Sequence, residues 1–255
     1  MLRGGGQRTP DSLDAVTLGI PGRTAPSAGR PRRTAPTSRV SLPALEVNLR
    51  AVLAATDNAV IDLRADAWGH GAAKVAERAV AVGADRLLID TADAAPLSRV
   101  VDPGLFRSEG ESTSPDAVFG LTAGFTPVLS LHGQVLSLKR LRAGEGVSYG
   151  YTHRAADDTW VALVTGGYAQ GIVRALGNAA SVAIAGERHP IVGRVAMDVC
   201  VVDVGPGSRV RRDDEVTFFG GAGAPSLAEW SAATGMTAAE LVTAVGLRTV
   251  REYVS

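Results

Sequence analysis

From Val40 onward the apolar and polar positions fall into short, regular runs. Ser41 stands where it can cap a helix with Pro43 in the first turn, and Leu45, Leu49, Val52 and Leu53 fall on one face. AVIDLRA (59–65) is an apolar run of strand length that meets the turn Gly69-His70-Gly71. AAKVAERAVAVGAD (72–85) reads as a helix with Gly83 as its stop. DRLLID (85–90) is a second strand, and TADAAPLSRV (91–100) begins like a second short helix. Strand, helix, strand, helix at this spacing predicts βα units on a parallel sheet.

The pattern changes after Asp102-Pro103-Gly104. RSEGESTSPD (107–116) is polar and reads as loop. TPVLSLHGQVLSLKRL, TWVALVTGGY, ASVAIAGERHPIVGRVAMDVCVVDVG and DEVTFFGG are rich in β-branched residues and separated by Gly, Pro and Asp turns, as in a small antiparallel barrel. Two short helices follow, for which Ser226 with Glu229 and Thr237 with Glu240 form candidate capping boxes. The expected fold class is α/β plus β. An α/β region spans 40–106, with room for about two βα units, and a β domain spans 120–255. Residues 1–39, with seven Arg and two Asp among Gly, Pro, Ser and Thr, are expected to be a disordered tail.

Composition changes this picture at one point. The 255 residues carry 26 Lys+Arg and 26 Asp+Glu, so neither nucleic acid nor an acidic membrane surface is expected as a partner. No apolar run approaches the ~20 residues of a membrane span, and no signal peptide is expected. The single cysteine, Cys200, excludes an intramolecular disulfide and fits a reducing, cytoplasmic setting. No metal site is expected. Within the basic residues, 24 are Arg, and only Lys74 and Lys139 are lysine. Chemistry that needs a lysine amine has two candidates.

Several motifs are more specific. Val-Ser-Tyr149-Gly, then Gly167-Tyr168-Ala169 with Gly171 and Arg174, then Pro190-Ile-Val-Gly-Arg194-Val-Ala-Met197-Asp198 resemble signatures of the alanine racemase β domain, in that family's order. Upstream, Leu-Arg64-Ala-Asp66-Ala-Trp68-Gly69-His70-Gly71 is similar to the family's pyridoxal-phosphate lysine motif. The resemblance extends over nearly everything from Val40. It implies a pyridoxal-phosphate isomerase, interconverting L- and D-alanine, built as a (β/α)8 barrel plus a β domain and working as a head-to-tail dimer. In such an enzyme a lysine carries the cofactor and serves one face of the substrate, while a tyrosine from the partner subunit serves the other. Carried over residue by residue, Tyr149 is the base, Tyr168 lines the substrate entrance and Met197 meets the substrate carboxylate. Trp68 stands at a phosphate-binding tyrosine, and Gly104 and Leu105 stand at amides that receive the phosphate.

The departures are equally specific. The lysine position is Arg64, and a guanidinium with pKa above ~12 is not an imine-forming amine. Lys74 and Lys139 match no catalytic position. Asp102 replaces an arginine that faces the pyridine nitrogen in the family. About five of the ~eight βα units of such a barrel are missing between Val101 and Asp102, which would leave strand edges and apolar faces uncovered unless something else covers them. The resulting expectation is a racemase-like protein impaired in catalysis and in cofactor binding. It would act on an amino acid by resemblance, as a homodimer or as a heterodimer with an intact racemase. The alternatives are a non-catalytic module that docks on an intact racemase, or a decayed gene product.

Overall fold

A computed structural model describes residues 35–221 and 223–255. The expected disorder of 1–34 lies outside these residues. Residues 37–39 correct the tail boundary, because Thr37–Ser41 forms strand β1 and Thr37, Ser38 and Val40 are buried. Its Ser41 side chain then accepts from the Ala44 amide at 3.3 Å, starting α1 (Leu42–Ala55) with Pro43 in the first turn. Leu45, Leu49 and Val52 are buried on its inner face.

The βα segment follows the expected alternation. Strand β2 (Ile61–Asp62), α2 (Ala72–Ala81), β3 (Leu87–Leu88) and β4 (Phe106–Arg107) give one three-stranded parallel sheet in the order β2-β3-β4. The run 59–65 is strand only at Ile61–Asp62. The segment 107–116 is not all loop: Arg107 pairs in β4, and Pro115–Val118 is a helical turn.

The apolar residues of this small sheet are not left open. Ile61, Leu87, Leu88 and Ile89 are all buried. Thr113 closes the outer edge of β2, its amide donating to Val60 O at 2.8 Å and its Oγ1 accepting from Val60 N at 3.0 Å. Asn48, buried on α1, holds the following loop by donating to Val118 O and Thr126 O and accepting from Thr126 N. A buried amide that meets three backbone groups satisfies what the loop would otherwise leave orphaned.

The β domain is a closed antiparallel barrel of six strands: β5 (Leu129–Leu141), β6 (Thr159–Thr165), β7 (Ser181–Ile184), β8 (Glu187–Val192), β9 (Val199–Asp203) and β10 (Glu215–Phe219). The order round the ring is β5-β6-β9-β8-β7-β10 and back to β5. β5 can serve two neighbours on one side because of its length. Leu129–His132 pair with β1, and Val135–Leu141 pair with β6. Two helices, α3 (Leu227–Thr234) and α4 (Ala238–Gly246), cover the barrel and lead to the last strand, β11 (Val250–Val254). Trp230 of α3 is buried with its ring edge-on to Phe219, centroids 5.0 Å apart. Thr237 and Glu240 form the full reciprocal capping box. Ser226 caps α3 but Glu229 does not return the bond, since its carboxylate is taken by Arg188.

The two ends of the described chain meet. β11 runs parallel to β1 in the register Thr37↔Val250 to Ser41↔Val254, so β1 lies between β5 and β11. Arg39 binds Glu215 of β10 through two nitrogens and approaches Glu252 of β11 at 3.7 Å.

Candidate functional site

The segment after β2 is backbone-strained. Ala65, Asp66, Ala67 and Trp68 have φ of 50°, 56°, 51° and 54°, so Arg64–Trp68 is a left-handed turn made of non-glycine residues. Each such residue costs roughly 1–2 kcal/mol, and the turn exists because neighbours hold it. Asp66 Oδ1 accepts from Ala72 N at 2.7 Å, while its Oδ2 accepts from Arg251 Nη2 at 2.6 Å. His70 is fully buried, stacked on Phe119 with centroids 4.2 Å apart, and its Nδ1 lies 3.0 Å from both Ala67 O and Trp68 O. Carbonyls only accept, so Nδ1 carries the proton. Burial pushes the imidazole down to about 4, against the pull of those carbonyls.

Arg64 opens this turn. Its Nε donates to Asp62 Oδ1 at 2.9 Å, its Nη2 to Asp62 Oδ2 at 2.7 Å, and its own amide to Oδ1 at 3.1 Å. Asp62 is 2% exposed. Burial by itself would raise its carboxyl, but the side-chain and backbone hydrogen bonds from Arg64 overcome that, and it ends below the ordinary carboxylate value. The Asp62 hydrogen bond in turn raises the guanidinium. The sequence motifs do not point to residue 62. Its signal is spacing, since residues two apart on an extended chain share a face.

Trp68 is half-buried, with its ring 5.8 Å from Phe119. It lines a shallow groove with Ala65 and the α4 residues Glu240, Thr243 and Ala244. In the turn before β4, Asp102 Oδ1 accepts from Gly104 N at 2.8 Å, and Leu105 N donates to Asp102 O at 3.2 Å. Both amides are thus engaged within the turn.

Tyr149, Tyr168 and Met197 lie on three adjoining loops of the β domain. Ser148 Oγ donates to Arg194 O at 2.6 Å, Tyr168 N to Ala196 O at 3.0 Å, and Ala169 N to Met197 O at 2.9 Å. A Cβ at residue 167 would collide with Ala196 O and Met197 O, so the two loops approach this closely only with glycine there. Tyr149 is 72% exposed, Met197 55% and Tyr168 39%. The Arg174 guanidinium sits 5.6 Å from the Tyr168 ring centroid. Among the described residues no hydrogen bond or ring contact joins these three to Arg64, Trp68, Gly104 or Leu105. Lys74 is ion-paired to Glu77 on α2, and Lys139 lies in β5.

Residues 128–253 match the family described as alanine racemase, C-terminal domain. The alanine racemase of Mycolicibacterium vanbaalenii is 40% identical over 148 residues, and that of Mycobacterium leprae is 42% identical over 147. Its β domain, residues 128–253, belongs to the alanine racemase C-terminal domain family. Each of these matches covers 54% of this chain and 38% of the relative, so the match spans well under half of the relatives' length. Among solved structures, alanine racemase from Streptomyces coelicolor A3(2) superposes with a TM-score of 0.73 at 22% identity, covering 87% of this chain and 98% of that one. The Bartonella henselae alanine racemase, which holds covalently bound pyridoxal phosphate, gives a TM-score of 0.75 at 16% identity, covering 86% and 99%. At these identities the likeness is one of fold. It covers a short parallel βα segment followed by the six-stranded antiparallel barrel of the racemase C-terminal domain. No described helix is long and apolar enough to cross a membrane.

Proposed function

We propose that this chain is an alanine-racemase-like protein that does not form the cofactor imine itself and instead presents its β domain to the barrel of an intact racemase. The observation that carries this is the contrast between its two halves. The β barrel is closed, and it displays Tyr149, Tyr168 and Met197 together and exposed. At position 64 there is a guanidinium forked onto a buried carboxylate.

The residues present do not fit pyridoxal phosphate. Imine formation requires a neutral primary amine, and Arg64 supplies none. The Gly104 amide, which would have to receive a phosphate, already donates to Asp102, and a carboxylate there repels a second anion. Among the described residues the parallel sheet has three strands, against the ~eight of a closed barrel. The partner in this reading is a racemase subunit in a cytoplasmic setting, and the amino-acid substrate belongs to the site completed on that subunit.

The test is direct. The purified protein mixed with pyridoxal phosphate is expected to show no visible imine band and no interconversion of L- and D-alanine. Mixed with an intact mycobacterial alanine racemase, it is expected to co-elute as a heteromer, and Tyr149→Ala with Met197→Ala should abolish co-elution. An imine band with turnover would overturn the reading, and so would failure to associate.

A further inference from the structure

We infer that Asp62 is the positioning residue that fixes position 64 as a cation, so that an amine placed there is held protonated rather than nucleophilic. This deepens the reading above and rests on it only for the identification of position 64 with the imine lysine. The burial of the two partners is unequal. The Asp62 side chain is 1% exposed and that of Arg64 is 44% exposed. A buried carboxylate requires a charged or hydrogen-bonding partner, whereas a half-exposed guanidinium can be served by water. Asp62 is therefore the fixed member of the pair, and it selects its neighbour. Three donors from residue 64 converge on it, the amide, Nε and Nη2, and the Ser112 side chain adds a fourth.

The second carboxylate acting on position 64 has the same sign. Asp90 contributes to the field at Arg64, and its Oδ2 accepts from the Ala65 amide at 3.3 Å. Opposite charge within ~4–6 Å favours the charged form of a base. A nucleophilic lysine needs the reverse, a neutral amine in its working pH range. Restoring lysine by Arg64→Lys alone would thus place an ammonium on Asp62.

The sequence supplies its own reference for the measurement. Lys74 and Lys139 are its only native lysines. In folded Arg64→Lys protein, the acylation rate of each lysine by a small anhydride is followed against pH by peptide mass spectrometry. The midpoint of each profile reads the amine's titration, and its plateau reads access. The midpoint of the introduced amine is expected about one unit above that of Lys139, so that it reacts about tenfold more slowly once plateaus are matched. Adding Asp62→Asn should bring the midpoint down to that of Lys139 or below. If the introduced amine titrates at or below Lys139 with Asp62 intact, the inference is overturned, and that result needs no second variant to fold. Because the readout involves neither cofactor nor racemase, it is independent of the imine and co-elution tests.

Discussion

Arg251 on the last strand clamps Asp66 in the left-handed turn, with Nη2 2.6 Å from Oδ2, while its Nε donates to Gly69 O at 3.0 Å. The same Nη2 also reaches Gly246 O at 3.1 Å, so one guanidinium joins β11, the end of α4 and the turn. The clamp compensates backbone strain that four consecutive non-glycine residues with positive φ impose. Arg251→Ala should cost about 2 kcal/mol, the scale of losing charged hydrogen bonds at a half-buried site. Arg251→Lys should recover less than half of that, because an ammonium lacks the planar fork. Urea unfolding gives the energies, and limited proteolysis should report new cleavage within 63–72. Unchanged stability and no new cleavage would mean that the turn is held by Asp66 and His70 alone.

The second prediction concerns pH and His70. Its folded pKa is pushed from the ordinary 6.5 down to about 4, chiefly by burial. Between those values the unfolded chain binds a proton that the native state refuses, so stability falls as pH falls through that window. The contribution is fully present above pH 6.5 and is lost by about pH 4. The shift corresponds to roughly 3 kcal/mol. Urea unfolding at pH 7, 6, 5 and 4 should show this slope, and His70→Gln should flatten it. Asp62, whose carboxyl lies below the ordinary value, adds its own loss only as pH falls through the carboxylate range.

Most of the fold is legible in the sequence because it rests on local signals. Ser41 with Pro43 and Thr237 with Glu240 announce their helices, and the β-branched runs announce the barrel strands. β1 and β11 carry no such signal. Each is five residues long, and each is paired with a partner about two hundred positions away, Thr37 with Val250. No local pattern encodes such a pairing. Charged residues such as Arg251 and Glu252 also give β11 the look of a terminal tail. The same distance hides Arg251 from the candidate site, since its partner Asp66 is 185 positions earlier. Arg64 is found through its motif. Asp62 stays hidden because burial, not residue type, makes it decisive.

Cys200 offers a third test. It is buried in β9, and burial alone pushes its thiol up to about 12. The thiolate is the reactive species, so the native protein should be inert to an aromatic disulfide reagent at pH 8. In denaturant one thiol per chain should react at once. Reaction in the native state should be no faster than opening of the barrel, and should accelerate in variants that destabilise it. Rapid native labelling would place Cys200 outside the core.

The last prediction concerns Gly71 and Tyr253. Gly71 has φ of 97°, and a Cβ there would collide with the Tyr253 hydroxyl and crowd Arg251 Nη1, 2.8 Å away. Gly71→Ala thus carries two penalties, a left-handed backbone and a steric clash with β11. Together they should cost about 3 kcal/mol or more, at the upper end for single substitutions. Tyr253→Phe removes the clashing oxygen but leaves the backbone penalty and the ring. In a double-mutant cycle the pair should be less destabilised than the sum of the singles, by about 1 kcal/mol. Additivity would mean that the turn moves away from β11 instead of pressing on Tyr253. It would then be the backbone conformation, not the packing of the turn against β11, that requires glycine at 71.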